Sequence, residues 1–148
     1  MAPVILHVED NDDDAELTER AFAEANIKNR VRRARDGVEA LDYLFGRGEH
    51  AGRSPSDLPA VVLLDLELPR LSGIEVLTAI RAEPLTRHLP VVVLTSSNEE
   101  RDRLDAYGQN ANSYVQKPVA YHDFVATARK LGQYWMELNQ PPPPVAVG

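Results

Sequence analysis

Cysteine is absent from the 148 residues, which excludes both disulfide bridges and thiolate chemistry. Long apolar segments are absent too. Met1 leads at once into Pro3-Val4-Ile5-Leu6 with no basic stretch before it, so neither secretion nor a membrane span is expected and a cytoplasmic location is. Positive charge is in short supply. The net charge is −7, and the Lys and Arg residues form no strong local excess, which argues against a nucleic-acid partner held through phosphates. What remains is an ordinary globular composition, 43% apolar, with length enough for one hydrophobic core. A single domain over residues 1–140 is expected. Pro141 to Pro144 then open a Pro-rich tail, 141–148, expected to be disordered.

The organising stretch is Val61-Val62-Leu63-Leu64-Asp65-Leu66-Glu67-Leu68-Pro69, four apolar residues that end abruptly on an acid. So short a Val/Leu run suits a strand buried on both faces of a parallel sheet. Similar runs occur at Val4–Val8, Pro90–Thr95 and Ser113–Gln116, and a weaker, arginine-rich one at 29–34 suits a sheet edge. Helical patterns follow each. They run through Leu17, Ala21, Phe22 and Ala25; through Val38, Leu41 and Leu44; through Ile74, Leu77 and Ile80; through Leu104 and Tyr107; and from about Tyr121 to Leu138, with Phe124, Ala128, Leu131 and Trp135 on one face. Residues 46–59, with three glycines and two prolines, read as a long surface loop, either functional or mobile.

Five strand–helix alternations call for an α/β, doubly wound, five-stranded parallel sheet. The flavodoxin-like order 2-1-3-4-5 puts the weak second strand on an edge. The other strands then end on Glu9-Asp10, Asp65, Thr95 and Lys117, so three carboxylates, a hydroxyl and an ammonium share one crevice. Crowded carboxylates need a cation. Lys117 offsets one charge, and an all-oxygen donor set points to magnesium, with manganese as the alternative, for the rest. Such a crevice suits transfer of a phosphoryl group onto a carboxylate, with metal, Lys117 and Thr95 on its three oxygens.

Those residues in that order resemble the receiver domain of two-component response regulators over about Val4 to Leu138: Glu9-Asp10, Asp65 followed by Pro69 and Gly73, Thr95, and Lys117-Pro118. The resemblance implies that Asp65 is the phosphoacceptor for a histidine kinase. It also implies that Glu9, Asp10, Asp65 and the backbone carbonyl of Glu67 serve the metal, that Thr95 and Tyr114 form a switch, and that Lys117 bridges to the phosphate. It implies, too, an output through a changed face made of the fourth helix, the fifth strand and the last helix. The long loop before the central strand and the Leu85–Ser97 segment resemble small stand-alone regulators paired with phytochrome-type kinases. Glu67 departs from the common pattern, where a neutral residue is frequent.

Competing readings remain. Asp10-Asn11-Asp12 has the spacing of an aspartate-based phosphatase with Asp10 as nucleophile and Asp12 as general acid, although Asp14 stands where such enzymes need Thr or Val. A flavin carrier would need a phosphate-binding first loop, and the acids there repel phosphate. A docking module independent of phosphorylation is the third. Asp12, Asp13 and Asp14 are expected to be a solvated helix start rather than extra ligands, and a calcium loop is excluded by Ala15 and Ala21 at its sixth and twelfth positions. The four histidines share no ligand spacing. Residues 46–51 match a loose dinucleotide fingerprint, but they follow a helix and not a strand. The apolar band around Trp135 motivates an expected homodimer.

Overall fold

The computed structural model describes residues 3–143; Pro144 to Gly148, and with them most of the proposed tail, lie outside the described residues. Five strands, β1 (Ile5–Val8), β2 (Val31–Ala34), β3 (Val61–Leu64), β4 (Val91–Thr95) and β5 (Ser113–Gln116), alternate with α1 (Asp12–Glu24), α2 (Gly37–Phe45), α3 (Gly73–Ala82), α4 (Glu100–Gly108) and α5 (Tyr121–Gln133). The sheet is parallel throughout and ordered β2-β1-β3-β4-β5, as expected.

Strand periodicity sorts the core into two layers. Leu6, Val8, Val62, Leu64, Val91 and Val93 pack beneath Leu44, Val76, Leu77 and Ile80 of α2 and α3. Ile5, Val61, Leu63 and Val92 point the other way, against Ala21 and Phe22 of α1 and Ala128 of α5. All residues of β1, β3 and β4 are buried, whereas in β2 only Ala34 is. Each fully buried Val or Leu contributes about 2 kcal/mol, so the three inner strands anchor the site rigidly.

The helices begin where the sequence supplies caps. Asn11 accepts the Asp14 N–H at 3.0 Å, and three acids in the first turn of α1 face its positive end. Asp36 accepts from the Glu39 N–H at 2.8 Å while Arg70, in the left-handed region at φ 67°, grips the same carboxylate at 2.9 and 3.0 Å. The loop leaving β3 is thereby tied to the start of α2. Ser72 and Glu75 form a reciprocal capping box. Gly73 lets the chain fold back over the end of β3: a Cβ there would lie 2.6 Å from Leu66 Cα. Arg81 fastens the far end of α3, donating to the carbonyls of Leu89 (2.7 Å) and Asn110 (2.9 Å) and to Asn112 Oδ1 (3.0 Å).

Three local features add detail to the expected elements. Leu104 and Tyr107 do not form a buried face of α4; they are 66% and 52% exposed, and the helix packs through Ala106 alone. Small Ala106 permits close approach, and rotation about the short helix puts the larger side chains outside. The 46–59 loop is not free of structure. It contains a 3-10 turn at Gly48–His50, and Arg53 folds back over the Tyr43 ring at 4.0 Å while donating to the Tyr43 carbonyl at 2.6 Å. The last helix passes into a π-helical turn at Tyr134–Leu138, so Trp135 is half-buried against the α1/α5 layer while Tyr134 and Leu138 stay exposed.

Candidate phosphoacceptor site

Parallel strands all end on the same rim, and a doubly wound sheet opens its crevice there. On that rim β1 delivers Glu9 and Asp10, β3 delivers Asp65, β4 ends in Thr95 and β5 runs into Lys117. Carboxylate oxygens of Glu9, Asp10 and Asp65 lie within 4.8 Å of one another. Glu9 and Asp65 are buried, and Asp10 is exposed at the mouth. The crevice, about 760 Å³, is lined by Glu9 to Asp14, Asp65, Glu67, Ser96 and Lys117.

Lys117 holds the acids together. Its Nζ lies 2.6 Å from Glu9 Oε1, 2.8 Å from Asp65 Oδ2 and 2.8 Å from Asp14 Oδ2. Burial opposes its charge, yet hydrogen bonds to Asp14, Asp65 and Glu9 outweigh that and raise the pKa above its ordinary value. Asp65 is further satisfied at Oδ1, which accepts from the Thr95 hydroxyl at 2.9 Å and the Glu67 N–H at 3.0 Å. Glu9 behaves oppositely. Burial pushes its carboxyl up to about 7, Lys117 and the Asn11 N–H pulling down and Asp65 pushing up. An acid so poorly solvated beside two others is the donor set a hard divalent cation suits, and no soft ligand competes. The residues present therefore fit a metal of the magnesium or manganese class.

Tyr114 stands apart from the crevice. Its hydroxyl donates to the Ser97 carbonyl at 3.0 Å, between β5 and the loop leading to α4. Asp12, at the crevice wall, is engaged by arginines, pairing with Arg33 at 2.6 Å and Arg35 at 3.3 Å, and Arg33 holds its carboxyl below the ordinary value. Asp12 is thus a poor general acid, which weakens the phosphatase reading.

Comparison with known proteins decides the family. Residues 5–129 match the response regulator receiver domain. The chain belongs to that family. Among curated relatives, the probable methanogenesis regulatory protein FilR2 of Methanothrix harundinacea is 43% identical over 95% of this chain and 88% of its own. Response regulator Rcp1 of Synechocystis is 34% identical over 90% and 89%. Solved structures agree. The bacteriophytochrome response regulator RtBRR is 46% identical, with TM-score 0.76 over 97% of this chain and 86% of that one. The Mn(2+)-bound form of Rcp1 aligns at TM-score 0.88, 34% identity and coverage of 95% and 99%. The phosphorylated cyanobacterial phytochrome response regulator RcpA aligns at 0.89, 34% identity and coverage of 97% and 100%. This is a receiver-domain response regulator of two-component signalling with phytochrome-associated relatives. Among the described residues no helix is long and apolar enough to cross a membrane.

Two participants were not legible as such in this receiver's sequence. Asp14 is no idle helix-start acid; the first turn of α1 aims it at Lys117. Acids at three successive positions disguised which one would turn inward. His7, in mid-strand, lies beneath the site with Nε2 3.9 Å from Glu9 Oε1, and its Nδ1 has no partner. Burial first, then Lys117 and Arg33, lower its pKa to about 3, with Asp65 working the other way. A histidine neutral when folded but titrating near 6.5 when unfolded gives stability that is full above about pH 6.5 and lost as pH falls toward 3. Urea unfolding at pH 7 and pH 4 is expected to show wild type losing about 3 kcal/mol more than His7→Leu on acidification. Parallel losses in the two proteins would mean that His7 is not buried neutral.

Proposed function

We propose that Asp65 accepts a phosphoryl group from a histidine kinase, with magnesium held by Glu9, Asp10, Asp65 and the Glu67 carbonyl, and that the phosphorylated chain signals through its α4-β5-α5 surface. The observation that carries this reading is the Lys117 ammonium 2.8 Å from Asp65 Oδ2 beside an acidic trio. Asp65 supplies the attacking carboxylate oxygen: a new O–P bond forms as the bond from phosphorus to the kinase histidine nitrogen breaks. A divalent cation, when bound, neutralises the carboxylates and withdraws charge from the phosphoryl oxygens. Lys117 gives the moving group a charged donor, and the Thr95 hydroxyl leaves Asp65 Oδ1 to donate to a phosphoryl oxygen. Tyr114, bound to the Ser97 carbonyl, would report that movement to the α4 side by turning inward.

The chain is on this reading a phosphoacceptor that assists its own phosphorylation and hydrolysis, and not an enzyme acting on another substrate. The relatives named for phytochrome systems support a phytochrome-type kinase as the donor. We take residues 1–140 as the receiver and 141–148 as its tail. A homodimer through α4-β5-α5 is supported by Leu104, Tyr107, Val119 and Tyr121, all at least half exposed. The Trp135 band contributes less than its composition suggests, because Trp135 itself packs inward.

Incubation with acetyl phosphate and magnesium is expected to add one phosphoryl mass to wild type and none to Asp65→Asn, read by intact mass spectrometry. Equal labelling of the variant would place the acceptor elsewhere. Light scattering is expected to give a dimer mass that Leu104→Glu with Tyr107→Glu reduces to that of a monomer; a monomer of wild type with and without acetyl phosphate would refute the dimer.

A further inference from the structure

The Lys117 ammonium donates to Asp65 Oδ2 and Asp14 Oδ2, both at 2.8 Å, and pairs with Glu9 Oε1 at 2.6 Å, so three carboxylates already crowd it. A phosphoryl group on Asp65 brings three further acceptor oxygens to the same ammonium. One existing partner must give way. Glu9 is 1% exposed in its side chain and has no room to leave, and Asp65 carries the group itself. Asp14 alone can withdraw cheaply. It sits on the first turn of α1 with a side chain 25% exposed, and rotation takes its carboxylate into water.

We infer that Asp14 is a resting-state latch: it holds the Lys117 ammonium off the phosphoryl position and competes with the phosphoryl oxygens for that donor. The inference rests on the phosphoacceptor reading above. Asp14 is a positioning residue, acting on the moving group chiefly through Lys117. Two effects share one sign. The contact stabilises the unphosphorylated form, and the carboxylate repels an anion arriving beside it. Removing Asp14 therefore favours the phosphorylated form from both sides. Asp13 makes a natural control, because it is an exposed neighbouring acid on the same turn.

The test is binding of trifluoroberyllate, a phosphoryl mimic, by the full chain with saturating magnesium, followed by calorimetry. Asp14→Asn and Asp14→Ala are expected to tighten binding about fivefold, the range for one partly exposed charge pair. Asp13→Asn, which removes the same charge without touching Lys117, is expected to change it less than twofold. In a Lys117→Gln background the Asp14 effect is expected to shrink to the less-than-twofold repulsion that Asp13→Asn shows, since the cycle isolates the contact. Wild-type binding that Asp14→Asn and Asp14→Ala leave unchanged, or that Asp13→Asn tightens equally, would overturn the latch and leave the phosphoacceptor reading intact. No binding by wild type would overturn both.

Discussion

One buried ammonium among three carboxylates is the interaction on which the site depends. Without Lys117, Glu9, Asp65 and Asp14 would face one another across a poorly solvated crevice, and each would raise the cost of ionising the next. Removing one partner of a buried ion pair typically costs about 3 to 5 kcal/mol, because the remaining charge is left uncompensated. One cation does not balance the acids. Lys117 meets three carboxylates, and Asp10 adds a fourth at the mouth. The residual negative charge is what equips the site for a metal ion.

The fold makes this meeting possible at small cost. Glu9, Asp65 and Lys117 are far apart in sequence, yet parallel pairing in register aligns β1, β3, β4 and β5 so that their ends share a rim. The loop after β3 is held by Gly73 folding over Leu66 and by Arg70 gripping Asp36. Asp65 is consequently fixed at both oxygens, one by Lys117 and one by Thr95 and Glu67. Preorganisation of this kind is what the proposed phosphoryl transfer requires, since the Asp65 oxygen is positioned before a substrate arrives.

Much of the architecture was readable from the chain itself. Uninterrupted apolar runs such as Val61–Leu64 announce buried parallel strands, and the arginines of 31–34 announce an edge. The strand order agrees with this: β2 and β5 hold the two edges, and neither is buried throughout as the three inner strands are. Glu9, Asp10, Asp65, Thr95 and Lys117 could be assembled because each terminates a strand. Asp14 and His7 could not. Helix rotation decides which of three consecutive acids turns inward, and a histidine inside an apolar strand carries no mark of what lies above it. The exposure of Leu104 and Tyr107 was not legible for a related reason. A short helix packed through one alanine obeys its neighbours, not its own hydrophobic pattern.

The central claim is that acids from β1 and β3 close around one divalent ion with Asp65 among its ligands. Electron paramagnetic resonance titration of manganese(II) into the apo chain tests it most directly. One ion is predicted to bind per chain in wild type, with affinity sharply reduced in both Asp10→Asn and Asp65→Asn. Binding that neither substitution weakens would contradict the account.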